Sequence, residues 1–305
     1  MLDRLIIIGT GLMGASLGAR VKARGLAARV VGVDGGSSKE AQRLGCIDEA
    51  FENIAKLLGD EGNSSGSGHS GNTGHAGSVG HSGGTGIVIA TPVTAIAKIF
   101  RDIEPLARES SVVWITDLCS TKADVIRAAD SVSGFGGKFV SSHPMAGSEK
   151  QGAANAHASM YDEARVLISP VQNSSQEALA DIERFWTALG LRPAGIPAED
   201  HDALLASISH LPHIVAYSLA ATLADSSLAA SAQALHGGGL RDTTRIAASS
   251  PELWADIFLA NREELLSAWS QWLIHQQLLK DALTNQDRTM LVELLERAAH
   301  WRKGF

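Results

Sequence analysis

Cysteine is scarce in this sequence. Cys46 and Cys119 are the two cysteines among 305 residues, and they lie far apart without a CxxC pair. This usage excludes a disulfide framework and a zinc module built on CxxC pairs, and it is typical of a reducing compartment. We therefore expect a cytoplasmic protein without a metal site.

Excess positive charge and long apolar runs are also missing. Lys and Arg total 26 against 33 Asp and Glu, a formal net charge of −7, which argues against a nucleic-acid partner. The opening MLDRLIIIG has too short an apolar run for a signal peptide, and no unbroken run reaches the roughly 18 apolar residues of a membrane span. We expect no membrane partner, and a chain of 305 residues predicts two domains.

The N-terminus carries a glycine-rich fingerprint. In LIIIGTGLMGASLG, a buried-strand pattern runs into Gly9, Gly11 and Gly14. The first glycine permits a tight turn, the second lets a pyrophosphate approach the backbone, and the third lets the helix pack on the strand. With Leu12 and Met13 at the helix N-terminus, this stretch predicts a dinucleotide-binding site.

Asp34 ends the second predicted strand, ARVVGVD, 20 residues after Gly14. An acidic side chain there can accept hydrogen bonds from the adenosine ribose hydroxyls. The alternative is a turn residue before Gly35 and Gly36. Because Asp34 would repel a 2′-phosphate, NAD is favoured, while Ser37 to Lys39 leave NADP open.

Further buried strands are predicted at GIVIATPV, SVVWITDL, KFVSSHP and RVLISP, mostly with helices between them. This alternation predicts an α/β fold with a Rossmann-type, doubly wound parallel sheet. Ligands of such sheets bind beyond the carboxyl ends of the strands. Thr91 and Pro92, assigned to the cofactor, lie there together with residues 117–122 and His143.

Residues 59–86 form a Gly/Ser/His-rich segment with three six-residue repeats, GHSGNT, GHAGSV and GHSGGT. Because it offers almost no apolar side chain to bury, we expect a flexible insert. A metal site formed by His69, His75 and His81 is the alternative.

The pattern becomes helical beyond Pro170. We expect a dinucleotide-binding domain over residues 1–170 and an all-α substrate and dimerisation domain over residues 171–305. Helices are predicted after Ser174-Ser175, over about 198–225, after Ser250 and over about 285–301. Since several are apolar on more than one face, we expect a homodimer formed through the helical domain.

Two segments of the helical half carry candidate polar groups. HDALLASISHLPH places His210 and His213 on one helix face, with a helix-bending Pro212 between them, although bonds to nearby carbonyls would also account for these histidines. GGGLRDTTR predicts a mobile or tightly turned loop before Arg245, which can clamp a carboxylate with two parallel hydrogen bonds. An i, i+3 pair of Arg245 with Asp242 is the alternative.

Four motifs together, SSHPMAGSEKQG, TDLCSTK, SHLPH and GGGLRDTTRIAASSPELW, resemble the prephenate dehydrogenase family, including its arogenate and cyclohexadienyl members. The resemblance covers nearly the whole chain except the Gly/Ser/His-rich insert. It implies an NAD-dependent oxidative decarboxylation of prephenate to 4-hydroxyphenylpyruvate, on the route to tyrosine.

The resemblance also implies residue roles. His143 would accept the hydrogen bond of the ring hydroxyl, and Ser120 would bond the same group. Arg245 would hold a substrate carboxylate, and His213 would face the substrate side chain. Cys119 and Thr121 depart from the family pattern around Ser120, which leaves the backbone path there open.

Other functions are compatible with parts of the sequence. An arogenate-specific or dual-specificity enzyme would carry the same motifs. A β-hydroxyacid-type dehydrogenase would rely on a lysine, for which Lys150 is available, but that reading leaves the histidine motifs and the arginine loop unexplained. A non-catalytic NAD-binding protein would keep the fold without turnover.

Overall fold

The strands of the computed structural model, which describes residues 1–64 and 83–304, form two sheets. They are β1 (Leu2–Ile8), β2 (Ala27–Val33), β3 (Glu49–Phe51), β4 (Thr85–Ile89), β5 (Val112–Asp117), β6 (Val140–Pro144), β7 (Arg165–Pro170) and β8 (Arg192–Gly195). The N-terminal helices are α1 (Leu12–Arg24), α2 (Ser37–Arg43), α3 (Ile54–Ser64), α4 (Ile96–Ala107), α5 (Ala123–Asp130) and α6 (Gln176–Ala188). The C-terminal helices are α7 (Ala198–Leu205), α8 (Leu211–Ala224), α9 (Ala229–Leu235), α10 (Gly238–Thr244), α11 (Pro251–Ala260), α12 (Arg262–Thr284) and α13 (Arg288–Arg302).

The first sheet is parallel throughout, in the order β3-β2-β1-β4-β5. The predicted Rossmann-type fold is confirmed, with an all-α second half. Side chains of β1 alternate between two apolar clusters, Leu5 and Ile7 on one face and Ile6 and Ile8 on the other. Strand order reverses between β1 and β4, which opens a ligand crevice at their carboxyl ends.

The prediction that KFVSSHP and RVLISP join the parallel sheet is wrong. β6 and β7 are antiparallel and form a separate three-stranded sheet with β8. The physical reason is the connection between them, which contains short 3₁₀ turns at Ala153–Asn155 and Ala158–Tyr161 instead of a crossover helix. One parallel bridge, Ile115 to Phe139, keeps β6 beside β5.

Strand β8 and helix α6 pack with the N-terminal half. β8 pairs in parallel with β7, and Ile182 and Trp186 of α6 belong to the same apolar cluster as β1. The Arg20 guanidinium on α1 donates to the carbonyl of Leu189 at 2.8 Å. The domain boundary was expected at residue 170; we propose one near Pro197 instead, between β8 and α7.

The predicted bounds of the Gly/Ser/His-rich insert are wrong at both ends. Residues 59–64 complete α3, and Thr85 and Gly86 begin β4, where they pair with β1 and β5. The remaining residues 65–82, with His69, His75 and His81, lie outside the described residues.

Two helices, α6 and α11, begin at their predicted caps. The Ser175 hydroxyl accepts a hydrogen bond from the Ala178 amide, and Ser250 does the same for Leu253. The predicted helical run over 198–225 forms as α7, a π-helical turn at Ala206–His210, and α8. Pro212 lies in the first turn of α8, so the wide π turn precedes the proline that cannot donate a backbone hydrogen bond.

The triple glycine does not form the expected mobile loop. Gly237 is the N-cap of α10, and Gly238 and Gly239 are its first residues. Arg245 follows in a 3₁₀ turn, Arg245–Ala248. The segment is therefore helical, despite the low helix propensity of glycine, and it presents Arg245 at a helix end.

The run Ala198–Ala224 is long and apolar enough to cross a membrane by length and composition alone, although polar residues interrupt it. However, His201, Asp202 and His210 within it are buried, and Asp202 accepts hydrogen bonds from the amides of α5. These contacts pack α7 and the π turn against the rest of the protein, whereas Ala216 is the one buried residue of α8.

Candidate active site

The loop between β1 and α1 has the geometry of a dinucleotide-binding turn. Gly9 has φ +93°, and a Cβ there would lie 2.5 Å from the Ala90 carbonyl oxygen. A Cβ on Gly14 would overlap the Gly9 carbonyl, whereas nothing lies within 4 Å of one on Gly11. The first and third glycines are thus needed for the turn and for packing, and the second leaves room for a phosphate.

The start of α1 offers anion-binding amides. Gly11 is its N-cap and no side chain caps it, so the backbone N–H groups of Leu12 and Met13 stand at the positive end of the helix dipole. At the neighbouring end of β4, the Thr91 hydroxyl is enclosed and has no hydrogen-bond partner among the described residues, while Pro92 is exposed. The predicted cofactor residues therefore meet at one edge of the sheet.

The Asp34 side chain is hydrogen-bonded to the glycine loop. Its carboxylate Oδ2 accepts a hydrogen bond of 2.9 Å from the Thr10 amide, and the residue is half-buried. This bond holds the carboxylate beside the loop, and the second carboxylate oxygen has no partner among the described residues. The arrangement fits a ribose diol, and the negative charge of Asp34 would repel a 2′-phosphate.

A buried ion pair shapes the loop after β5. Asp117 and Lys122 are fully buried, and Lys122 Nζ lies 2.7 Å from Asp117 Oδ2. The ammonium also donates to the carbonyls of Cys119 at 2.9 Å and Ser142 at 2.8 Å, so its three N–H groups are all satisfied. Lys122 therefore ties the loop that carries Ser120 to strand β6.

Ser120 lies at the exit of that loop. It is half-buried, and its hydroxyl has no partner among the described residues, nor is it one of the enclosed unpaired atoms. Asp117 also accepts hydrogen bonds from the Ser141 hydroxyl at 2.6 Å and the Ser142 amide at 3.3 Å. These bonds bring the loop of Ser120 beside strand β6, which carries His143.

His143 is the start of a hydrogen-bonded chain that crosses into the helical half. His143 Nδ1 lies 2.9 Å from His201 Nε2, and His201 Nδ1 lies 2.8 Å from Asp202 Oδ1. The Asp202 carboxylate also accepts 2.8 Å bonds from the Lys122 and Ala123 amides at the start of α5. All three members of the chain are buried.

This chain fixes the tautomers of both histidines. A carboxylate can only accept, so His201 donates from Nδ1 and its Nε2 is an acceptor. His143 then donates from Nδ1, which leaves the lone pair of its own Nε2 unprotonated. His143 Nε2 has no partner among the described residues and is not one of the enclosed unpaired atoms, so it can accept a proton from a ligand.

Electrostatics keep these imidazoles neutral. Burial lowers the pKa of His143 well below the usual imidazole value, and the nearby Lys122 charge lowers it further. Burial also lowers the pKa of His201, against the opposing hydrogen bond to Asp202. Although burial alone would raise it, the pKa of Asp202 is lowered by the hydrogen bonds from His201 and the two α5 amides. The hydrogen-bonded chain therefore consists of two neutral imidazoles, His143 and His201, and the ionised carboxylate of Asp202.

His213 occupies a second part of the site. Its Nδ1 donates to the Ser209 carbonyl at 2.8 Å, which bears out the alternative that a histidine of this run bonds a carbonyl. The ring stacks on Trp254 with centroids 3.4 Å apart. Burial lowers the pKa of His213, and the Arg245 charge lowers it further, so Nε2 is an acceptor at neutral pH.

Arg245 lies near the loop that follows His143. Its guanidinium is 3.9 Å from Glu149, and the side chain is 65% exposed, so it can pair with a ligand carboxylate. The alternative pair with Asp242 is wrong, since the Asp242 carboxylate lies 3.7 Å from Arg241 instead. Arg245 and Glu149 line a cleft of about 500 Å³.

His201 was not among the site residues predicted from the sequence. Its one available signal was the adjacent His-Asp pair near a predicted helix start, and the partner, His143, is 58 residues away. Lys150, the lysine of the β-hydroxyacid alternative, is exposed. It makes no ion pair with the described residues.

The chain matches two family models in sequence order. The nucleotide-binding domain of prephenate dehydrogenase matches residues 82–193, and the dimerization domain of prephenate dehydrogenase matches residues 197–297. The gap between the two matches coincides with the boundary that we propose near Pro197.

Named relatives span most of the chain. It is 31% identical to a cyclohexadienyl dehydrogenase of Zymomonas mobilis over 210 residues, covering 68% of this chain and 70% of that protein. It is 28% identical to a prephenate dehydrogenase of Bacillus subtilis over 307 residues, covering 100% and 76%. The crystal structure of prephenate dehydrogenase from A. aeolicus with hydroxyphenyl propionate and NAD+ superposes with a TM-score of 0.84 at 27% identity, covering 100% and 98%.

Proposed function

Because this chain belongs to the prephenate dehydrogenase family of NAD-dependent oxidoreductases, we propose that it converts prephenate to 4-hydroxyphenylpyruvate and carbon dioxide. The reaction is an oxidative decarboxylation in tyrosine biosynthesis. The observation that carries the proposal is the unprotonated Nε2 of His143, held by the His201–Asp202 chain at the ligand edge of a dinucleotide-binding sheet.

The cofactor residues support NAD. When bound, NAD accepts a hydride from the ring carbon that bears the hydroxyl. Gly11 and the α1 amides leave space and positive potential for the pyrophosphate, and Asp34 can accept from the ribose hydroxyls. Asp34 would repel a 2′-phosphate, so NADP is disfavoured.

His143 is the proposed general base, which accepts the proton of the ring hydroxyl. As the hydride leaves, the hydroxyl oxygen gains carbonyl character and its proton passes to His143 Nε2. The imidazolium that forms donates from Nδ1 to His201, whose own Nδ1–H is held by the Asp202 carboxylate. This chain is arranged before the reaction and stabilises the positive charge only as it develops, so it favours the transition state.

Decarboxylation then needs little from the protein. The bond between the ring and its carboxylate breaks, its electron pair enters the ring, and carbon dioxide leaves. The ring becomes aromatic and its oxygen becomes a phenolate, which takes the proton back from His143. No net proton is gained or lost by the enzyme.

The remaining predicted residues position the substrate. Arg245 is exposed on the cleft and can hold the side-chain carboxylate with two parallel hydrogen bonds. His213, stacked on Trp254, would face the neighbouring keto group, and Ser120 would share the ring hydroxyl with His143. These three roles are part of the proposal.

The test is turnover by the purified protein. With NAD and prephenate we expect reduced nicotinamide, measured by its absorbance, in step with carbon dioxide. Demonstrable NAD binding without reduction would instead support a non-catalytic NAD-binding protein. His143→Asn is the matched control, since it should bind NAD normally and turn over far more slowly.

Arogenate is the second candidate substrate. The 31% identical relative is named a cyclohexadienyl dehydrogenase, and neutral His213 presents an acceptor that an ammonium group could use. Steady-state comparison of prephenate and arogenate, each with NAD and NADP, separates the three specificities. A kcat/KM higher for arogenate would replace prephenate in the proposal.

A homodimer through the helical domain is supported by exposed apolar side chains. The larger ones on α12 and α13 include Leu266, Leu273, Ile274, Leu283, Met290, Leu295 and Trp301. Exposed large apolar side chains grouped on two helices favour an interface. Light scattering should give the mass of two chains at micromolar concentration, and a stable monomer would contradict it. The cytoplasmic location stays a prediction, as does the lack of nucleic-acid and membrane partners.

A further inference from the structure

A fourth histidine of the site has its tautomer fixed in the opposite sense to His143. His210 is the last residue of the π turn and is 1% exposed. Its Nδ1 lies 3.0 Å from Nδ2 of the buried Asn261, at the start of α12. The proposed reaction gives no role to His210 or Asn261.

The orientation of the Asn261 amide follows from its second contact. Asn261 Nδ2 lies 2.8 Å from the backbone carbonyl oxygen of Asp202, which can only accept a hydrogen bond. The Nδ2 group therefore donates both its hydrogens, one to Asp202 and one to His210 Nδ1. His210 Nδ1 is then an acceptor, and the proton of the neutral ring is on Nε2.

The Nε2–H of His210 has no partner in the described ranges 1–64 and 83–304, and it is not one of the enclosed unpaired atoms. An N–H group of this kind in a buried side chain needs an acceptor. Its surroundings belong to the active site, because Asn261 links it to Asp202 and its ring contacts the edge of Trp254, the residue on which His213 stacks.

We propose that His210 donates its Nε2–H to the carboxylate on the ring carbon of prephenate, and that Asn261 is the positioning residue that keeps that proton on Nε2. The inference rests on the proposed function. In the proposed function, His143 and Ser120 bind the hydroxyl, Arg245 binds the side-chain carboxylate and His213 faces the keto group. His210 would bind the remaining polar group of the substrate, the ring carboxylate.

A neutral donor suits a carboxylate that must leave as carbon dioxide. A cation at this position would stabilise the carboxylate in the bound substrate more than in the transition state, where its negative charge moves into the ring, and would thereby slow the step. A neutral N–H orients the group with a weaker hold. His210 fits, since burial lowers its pKa to about 4 and keeps it uncharged at neutral pH.

The first test separates substrate from product, because 4-hydroxyphenylpyruvate lacks the ring carboxylate. His210→Leu should lower kcat/KM for prephenate by about 10- to 100-fold, the usual worth of a hydrogen bond to a charged group. The product's inhibition constant should stay unchanged. His210→Gln, which retains an N–H donor, should recover much of the loss, and His300→Leu, at an exposed histidine of α13, should change neither value.

The second test reads the tautomer directly. Nitrogen NMR of isotope-labelled histidine should give His210 as the Nε2–H form in the wild-type protein, and Asn261→Asp should move the proton to Nδ1 or charge the ring, with a matching loss of kcat. A wild-type Nδ1–H form, or equal weakening of prephenate and product in His210→Leu, would overturn the inference. Absence of any wild-type turnover would instead refute the proposed function, while leaving the NMR result to judge the tautomer.

Discussion

The imidazoles of His143 and His201 share a 2.9 Å hydrogen bond between the end of β6 and helix α7. The Asp202 carboxylate continues this contact and caps the start of α5, so one carboxylate orients the base and joins the two halves of the protein. Changes in this chain should therefore alter both proton transfer and the fit between the halves.

Replacing the proposed base should affect turnover more than binding. For His143→Asn we expect kcat to fall by about 10²- to 10⁴-fold with little change in KM, because the contact strengthens only in the transition state. Steady-state kinetics with NAD and prephenate measure both. Equal losses in kcat and in substrate affinity would contradict the role.

Replacing His201, the middle residue of the hydrogen-bonded chain, should lower kcat less than replacing His143. His201→Phe keeps a ring but loses the acceptor for His143 Nδ1, so the tautomer of His143 is no longer fixed. We expect kcat to fall by about tenfold, the value of one hydrogen bond. Nitrogen NMR should show a mixed tautomer at His143, and an unchanged tautomer with unchanged kcat would count against the chain.

The arginine should act chiefly on binding. Arg245→Gln should raise KM for prephenate by about 10- to 100-fold while kcat changes little, since the carboxylate contact is present throughout the reaction. Lys150→Gln is the matched control, an exposed cation in the loop after β6. A large kcat loss in Lys150→Gln would favour the β-hydroxyacid alternative.

Cofactor choice should depend on Asp34. Asp34→Asn retains an acceptor for the Thr10 amide but removes the negative charge, so KM for NAD should rise by about three- to tenfold and the discrimination against NADP should shrink. Rates with each cofactor at saturating prephenate measure this. An unchanged NAD to NADP preference would show that Asp34 does not contact the ribose.

Stability should fall in mild acid because of His210. Its pKa is lowered by burial to about 4 in the folded protein, while the unfolded imidazole titrates near 6.5. Between these values the unfolded state binds the extra proton. The contribution of His210 to the free energy of unfolding is therefore fully present above about pH 6.5 and falls by roughly 3 kcal/mol as the pH is lowered. Denaturant unfolding of wild type and His210→Gln over this range should show a steeper pH dependence in the wild type.

Local patterns predicted much of the fold. The glycine fingerprint, Asp34, and the helix starts at Ser175 and Ser250 depend on contacts within a few residues or on one strand-turn-helix unit, so the order of residue types was sufficient. The separate second sheet was missed, since a strand's pairing direction depends on the connection and not on its own apolar residues.

The helical character of Gly238 and Gly239 also contradicts the low helix propensity of glycine. Pro212 predicted a disturbance of the long helical run, and the π turn at Ala206–His210 is that disturbance. Its position placed His210 beside Asn261, a contact across 51 residues that no local pattern records.

By itself, the sequence determined that a dinucleotide fold precedes a helical domain and that His143, Ser120, His213 and Arg245 are available for chemistry. Tertiary structure alone decided the protonation pattern, because a tautomer depends on which donor or acceptor faces each ring nitrogen. The tertiary partners, His201 for His143 and Asn261 for His210, were set by how α7 and α12 pack, and so they decide which histidine accepts a proton and which donates one.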